Sequence, residues 1–327
     1  MKYFGRMGKI RLSLFLVGMF GAGVIAAGIY DYAGLYGFNV ILRRGSSRWI
    51  PVAADDARLS DAMRLAQHRP VPAATPGPLA WRTVADGFEV AELSAIIEGS
   101  EVDRILLARI DPAHFRFIVR NAPAGNRELG DWMQKLGAAL VINGSYFSRH
   151  GTPTTPFLSA GIDLGPSDYA GSHGAFVASG AETAIHDLAG EDWQTAFKGA
   201  DDALVSYPLL IGNDGVSRAG ADTGWLANRS FVGQDKDGRL VFGTTEDAFF
   251  SLARLADFLH SAPLDLTLAL NLDGGPVACQ GIAVAGYRRD FCGKWEFRMD
   301  GDQPMLLTGL FGTRRWALPV VLAALPR

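Results

Sequence analysis

The residues best placed to do chemistry lie in LALNLDGGPVACQ (268–280), where an apolar run stops on Asn271, Asp273, Gly274 and Gly275. A carboxylate followed by two glycines is either a tight turn or the floor of a site where a ligand approaches the backbone closely. A second polar turn, Asn143-Gly144, closes another apolar run, AALVI. Asn-Gly is also an ordinary hairpin turn, so either turn taken singly fits a plain turn. Arg229 stands just before an expected strand in ANRSFVGQDKDGRLVFGTTED (227–247), a position where arginine is usually a solvated charge.

Periodicity shows which elements carry these groups. Leu129, Trp132, Met133 and Leu136 recur at helical spacing, with Asn126 as the expected N-cap and Gly137 as terminator, before a strand that ends at Asn143. Ala248, Leu252, Leu255 and Leu259 repeat the pattern, capped by Asp247 and closed by Pro263, before a strand that ends at Asp273. Each helix–strand unit delivers a glycine-containing turn at a strand's carboxyl end, where α/β folds commonly bind ligands. Segments 102–111 and 114–122 read as neighbouring strands, and 230–243 as a hairpin turning at Asp235–Gly238. The expected class is α/β (mixed α+β), a mixed sheet with packed helices behind an N-terminal transmembrane helix.

Composition narrows the partners. With 327 residues, 48% hydrophobic and 20% charged, the chain can bury a full core. A net charge of −3 lacks the basic balance of a nucleic-acid binder. Lys2, Arg6, Lys9 and Arg11 precede an uncharged run from Leu12 to Tyr30, close to the roughly 20 residues that span a bilayer. Residues 1–11 then form a cytoplasmic segment, 12–30 a signal anchor, 31–78 a juxtamembrane segment with the Pro-rich linker RPVPAATPGP, and 79–327 the main domain. A cleaved signal peptide is the alternative, with Ala26-Ala27-Gly28 as its cleavage site. The positive-inside rule puts the domain outside the cytoplasm, in the periplasm of a bacterial inner-membrane protein. The spacing of Cys279 and Cys292 fits a short disulfide loop or two free thiols, and export would let a disulfide persist.

Five short motifs occur in order: NGSYF (143–147), PLLIGNDG (208–215), RSFVG (229–233), DGRL (237–240) and NLDGG (271–275). Together with WRTVADGFEVAEL and RILLARIDPAHFRF, this order resembles the phosphodiester glycosidase family over roughly residues 80–325. The resemblance implies a hydrolase that cleaves the glycosidic bond of a sugar-1-phosphodiester, in exopolysaccharide or glycolipid metabolism of the envelope. The leaving phosphate monoester has a second pKa of about 6, so it departs readily and the general acid that ordinary glycosidases need is less necessary. Arg229 is then the phosphate clamp, because its planar fork suits phosphate oxygens. Asp273 is the carboxylate, acting as nucleophile, base or holder of sugar hydroxyls, and Asn143 is a sugar or phosphate contact. Gly144, Gly274 and Gly275 allow close backbone approach, and Tyr146 is a ring for the sugar to pack on. His150 is a further substrate contact and Glu246 a second carboxylate, although TTED before a helix is also an ordinary cap. His173 and His260 are weaker candidates.

Two departures from the family pattern stand out: Pro276-Val277-Ala278-Cys279 replaces the usual glycine or serines after Asp-Gly-Gly, and Ser145 replaces a second glycine. They keep open an alternative, a non-catalytic glycan-binding envelope protein using the same pocket. No metal-ligand, P-loop or dinucleotide motif occurs, and DKDG (235–238) lacks the further ligands of a calcium loop. No cofactor is required, and a divalent cation such as Ca or Mg near Asp273 is possible chemistry for its carboxylate. Protein partners are not indicated.

Overall fold

A computed structural model describes residues 4–44, 47–67, 70–171, 173–180, 182–309 and 315–327. Lys2 and Arg69 lie outside the described residues. Period-2 alternation of apolar side chains builds the layers, because successive residues of a strand face opposite ways. In the strand Leu140–Asn143, Leu140 and Ile142 face one core while Val141 faces another. In Val320–Pro326, Leu322 and Ala324 share the first core, and Val321 and Ala323 the second. Leu240 and Phe242 of Leu240–Thr245, and Leu268 and Leu270 of Leu266–Asn271, enter the first core from the opposite side.

Two sheets therefore pack face to face, each with helices on its outer side. The larger sheet is covered by the helices Asp61–Gln67 and Leu252–Ser261, whose Met63, Ala66, Leu255 and Phe258 meet Leu93, Ile105 and Val241. The smaller sheet is covered by Leu129–Leu136, which buries Leu129 and Trp132. The Trp132 indole donates to the carbonyl of Leu318 at 2.8 Å. The expected α+β class holds, and among the described residues every strand pairing is antiparallel. The Asn143 strand lies between Cys279–Val284 and Val320–Pro326 in one sheet. The Asp273 strand lies between Leu209–Ile211 and Ser230–Asp235 in the other.

Several local expectations change. Ser100–Ile110 and Phe115–Asn121 are not neighbours: the first pairs with Phe88–Ile97 and Leu240–Thr245, the second with Val320–Pro326. The first helix begins after Glu128, not Asn126, and Asp131 accepts from the Glu128 amide. Gly137 ends it at φ 58°, as a left-handed C-cap. Ser251 rather than Asp247 caps the later helix, because Asp247 accepts instead from the Ser60 hydroxyl. In the DKDG turn, Asp235 accepts from the Asp237 and Arg239 amides and from Arg239 Nε, so its carboxylate closes the turn itself.

The domain also begins earlier than Leu79. Ser47–Pro51 pairs with Gln303–Gly309, and Thr75–Pro76 adds to the edge of Phe88–Ile97. Val52, Leu59 and Met63 are buried in the larger sheet's outer core. Residues 47–67 and 70–78 are thus part of the folded unit, and Pro76 sits on a sheet edge rather than in a spacer. The helix Phe4–Arg44 behaves differently. Leu14, Phe15, Val17, Phe20 and Ile25 are 63–76% exposed, which no core helix would allow. It fits a membrane anchor or a signal sequence.

Disulfide Cys279–Cys292 joins registered partners of two paired strands, with an S–S distance of 2.05 Å. A chain starting at Leu79 should lack the cooperative denaturant unfolding shown by one starting at Ser47. In the longer chain, Met63→Ala should cost about 2–5 kcal/mol of stability. Equal transitions for the two chains would contradict this boundary.

Candidate active site

The two turns meet because one buried amide bridges them. Asn143 is 2% exposed; its Nδ2 donates to the carbonyl of Asp273 at 2.7 Å and its Oδ1 accepts from the Cys279 amide at 3.1 Å. The Asp273 amide in turn donates to the carbonyl of Gly144 at 3.0 Å. Asn143 therefore ties the two sheet ends together, and both ends of its side-chain amide are committed to backbone. At Gly144, a Cβ would fall 2.5 Å from Val320 Cγ1, so a larger residue would push the tie apart.

Arg229 enters from the strand next to Asp273. Its amide donates to Thr245 Oγ1, Nε donates to the carbonyl of Phe250 at 3.2 Å, and Nη2 donates to that of Trp225 at 2.6 Å. The side chain is fixed by backbone acceptors and has no carboxylate within ion-pair distance among the described residues. Its Nη1 lies beside Gly274, where a Cβ would stand 3.4 Å away. Burial lowers its proton affinity, while Tyr146, Glu296 and Asp273 pull the other way. Arginine stays charged regardless.

Glu296, absent from the sequence-based candidates, is the second carboxylate. It opens the strand Glu296–Asp300 and accepts from the Trp225 indole at 3.0 Å. A Cβ on Gly275, whose φ is 69°, would meet its Oε2 at 2.6 Å, so the glycine is needed for both backbone conformation and space. Burial raises the proton affinity of Glu296, against the Arg229 charge. Burial likewise lifts Asp273 to about 7, with Glu296 adding to the rise, while the Gly274 amide at 2.8 Å and Arg229 oppose it. Two carboxyls that burial pushes towards their protonated forms thus lie beside one buried guanidinium.

Aromatic rings border the pair. Tyr146 stacks on Tyr207 at 4.4 Å, and Tyr207 lies 4.7 Å from His173. The Tyr146 hydroxyl donates to the carbonyl of Tyr207 and accepts from Asn271 Nδ2 at 2.8 Å, which locks its ring. Tyr207 is 38% exposed and presents a face to solvent. Burial and the Asp273 charge both raise its hydroxyl pKa. Asn228 supports the whole arrangement: it accepts from the Lys294 and Trp295 amides, donates to the carbonyls of Thr245 and Asp247, and its own carbonyl accepts from the Gly275 amide.

Two expected contacts lie elsewhere. The Glu246 side chain sits 4.0 Å from Arg104, with Glu92, Glu101 and Arg289 as its other charged neighbours, because its backbone follows the Arg104 strand. His150 packs against the N-terminal helix at Gly34, since the chain turns away after Phe147. Glu296 and Tyr207 carry little local signal; only the Tyr207-Pro208 pair at the start of PLLIGNDG marks a special turn. A cavity of about 420 Å³ lined by Asp187, Glu191, Asp214 and Arg218 shares no residue with this site. Among the described residues no cluster of three or more His, Cys, Asp or Glu could hold a metal.

The mixed α+β scaffold has a counterpart among known proteins. Residues 123–278 match the family model described as phosphodiester glycosidase. Asn143, Arg229 and Asp273 fall inside the matched segment, and Glu296 beyond it. The fold is similar to the catalytic domain of zebrafish N-acetylglucosamine-1-phosphodiester alpha-N-acetylglucosaminidase, auto-inhibited by its pro-peptide, at TM-score 0.50 and 15% identity over 86% of this chain and 89% of that one. A hypothetical protein from Synechocystis aligns at TM-score 0.49 and 14% identity, over 77% of this chain and 64% of that one. No curated protein matches the sequence.

The raised pKa of Asp273 has a signed consequence. Between its model-compound value of 3.8 and about 7, the folded protein holds a proton that the unfolded chain has released. Asp273 therefore opposes folding increasingly as pH rises through that window, and by a constant amount above it. Asp273→Asn should gain stability over the parent progressively from pH 4 to 7 in urea unfolding. A gain that does not change with pH would refute the raised pKa.

Proposed function

We propose that the protein hydrolyses the glycosidic bond of a sugar-1-phosphodiester at the Asp273–Arg229–Glu296 site. The observation that carries this reading is Arg229: a buried guanidinium fixed through Nε and Nη2, beside two carboxyls yet ion-paired to neither. Such a cation calls for an anionic ligand, and a phosphodiester supplies one. Nη1 binds a phosphate oxygen, and the exposed Tyr207 face packs against the sugar. The bond from the anomeric carbon to the phosphate oxygen breaks, its electron pair leaving with the phosphate. A water oxygen bonds to the anomeric carbon, and Asp273 takes its proton. Glu296, whose charge acts on both Arg229 and Asp273, holds a sugar hydroxyl and limits Arg229's pull on Asp273.

The family of residues 123–278 and the sugar phosphodiester in the zebrafish enzyme's name support this substrate class. The N-terminal helix and the disulfide support a location on the outer face of a membrane.

With an N-acetylglucosamine-1-phosphate diester such as UDP-N-acetylglucosamine as probe, Asp273→Asn and Arg229→Ala should each lower kcat/KM by about 10²–10⁴-fold. Tyr207→Ala should act mainly on KM. Tight glycan binding with no turnover by the parent protein, across sugars and aglycones, would replace the hydrolase with the binding-protein alternative.

A further inference from the structure

The N-terminal helix does more than lead into the domain. No charge occurs between Arg11 and Asp31, so the hydrocarbon layer ends near Tyr30–Tyr32, where tyrosines suit a bilayer interface. At Gly34 the helix breaks, with φ 61° and ψ −166°, a conformation that glycine alone adopts readily. A Cβ there would also lie 2.9 Å from His150 Nδ1. Beyond the break the helix is seated on the domain. Tyr36, 5% exposed, meets the Phe147 ring edge-on at 5.1 Å. Asn39 Nδ2 donates to the carbonyl of Ala124 at 2.6 Å, and Arg43 pairs with Glu128 at 3.4 Å. Arg149 stacks 4.1 Å from the centre of the Tyr32 ring.

The seat is on the loop of the candidate site itself. Phe147 is three residues from Gly144, at most about 11 Å of chain, and the Gly144 carbonyl accepts from the Asp273 amide. Asp31 to the break at Gly34 adds roughly 5 Å of helical rise, and the seat at Tyr36 begins two residues beyond the break. A bilayer's headgroup layer is about 5–8 Å deep on each side. The site is thus held at a nearly fixed, small height above the hydrocarbon, with Arg149 adding a cation where lipid phosphates lie. A substrate dissolved in water gains nothing from a fixed height. A phosphodiester whose aglycone is embedded in the bilayer requires it.

We propose that the substrate is a membrane-resident glycophospholipid, a sugar-1-phosphodiester whose lipid stays in the bilayer while its sugar enters the Asp273 site; this rests on the hydrolase reading above. Cleavage adds water across the bond from anomeric carbon to phosphate oxygen. It releases free sugar to the aqueous side and leaves a lipid phosphate monoester in the membrane.

The test uses the full chain in phosphatidylcholine nanodiscs with two probes, the hexadecyl and methyl diesters of N-acetylglucosamine-1-phosphate. The hexadecyl diester should be turned over with kcat/KM at least about tenfold higher. A flexible Gly/Ser insertion of about twelve residues between Ala33 and Gly34 leaves the seat on the domain but frees its height. It should cut hexadecyl turnover at least about fivefold and leave methyl turnover unchanged, which also shows that the variant is folded. Equal turnover of the two probes, or an insertion without selective effect, overturns the membrane substrate and leaves the hydrolase standing. No turnover of either probe overturns both.

Discussion

The side-chain amide of Asn143 is the constraint on which the site depends. Two sheets that pack through apolar faces can slide relative to one another, because hydrophobic contact is not directional. Hydrogen bonds are directional, and Asn143 places one on each side of the Asp273 turn, to the Asp273 carbonyl and from the Cys279 amide. Buried at 2% exposure, it is shielded from competing water. Its loss would leave buried partners unsatisfied and free the Asp273 turn from the neighbouring sheet.

That rigidity permits an unfavourable arrangement of charge. Asp273 and Glu296 are drawn towards their protonated forms by burial, and Arg229 loses hydration without gaining an ion pair. Free side chains would rearrange to neutralise one another. Here Trp225 holds Glu296 through its indole and Arg229 through its carbonyl, so carboxylate and guanidinium are fixed by the same residue. Asn228 fixes the backbone of the Gly275 turn and of Trp295 beneath them. Electrostatic frustration held by a stiff frame is a common property of binding and catalytic sites.

Much of this was legible from residue order. Asp273, Arg229 and Asn143 stand out because turn-forming glycines sit beside polar groups at the ends of apolar runs, and local pattern records that. The hairpin around Asp235–Gly238 was legible for the same reason. Glu296 was not, because it opens an unremarkable strand and reaches the site only through pairing with Leu226–Ala227 and Gln303–Gly309. Glu246 misled in the opposite sense: its TTED context looks like a helix start, yet the strand pairing with Ser100–Ile110 carries its side chain towards Arg104. The Pro-rich stretch misled through composition, since prolines mark sheet edges as well as linkers. The separation of Ser100–Ile110 from Phe115–Asn121 into two sheets is a tertiary outcome that periodicity does not encode.

The strand Val320–Pro326 sets the order in which these parts can come together. It lies between Phe115–Asn121 and Leu140–Asn143, and its Val320 carbonyl accepts from the Gly144 amide. The centre of that sheet therefore waits for residues separated by nearly 180 positions, whereas the Cys279–Cys292 hairpin closes locally. Short loops close at lower entropic cost than long ones, so closing the hairpin costs less than clamping the Asn143 strand. Until that strand is clamped, Asn143 has no fixed place from which to hold the Asp273 turn. A chain that has not yet supplied Val320–Pro326 thus holds every candidate group of the site without the strand that clamps Asn143 in place.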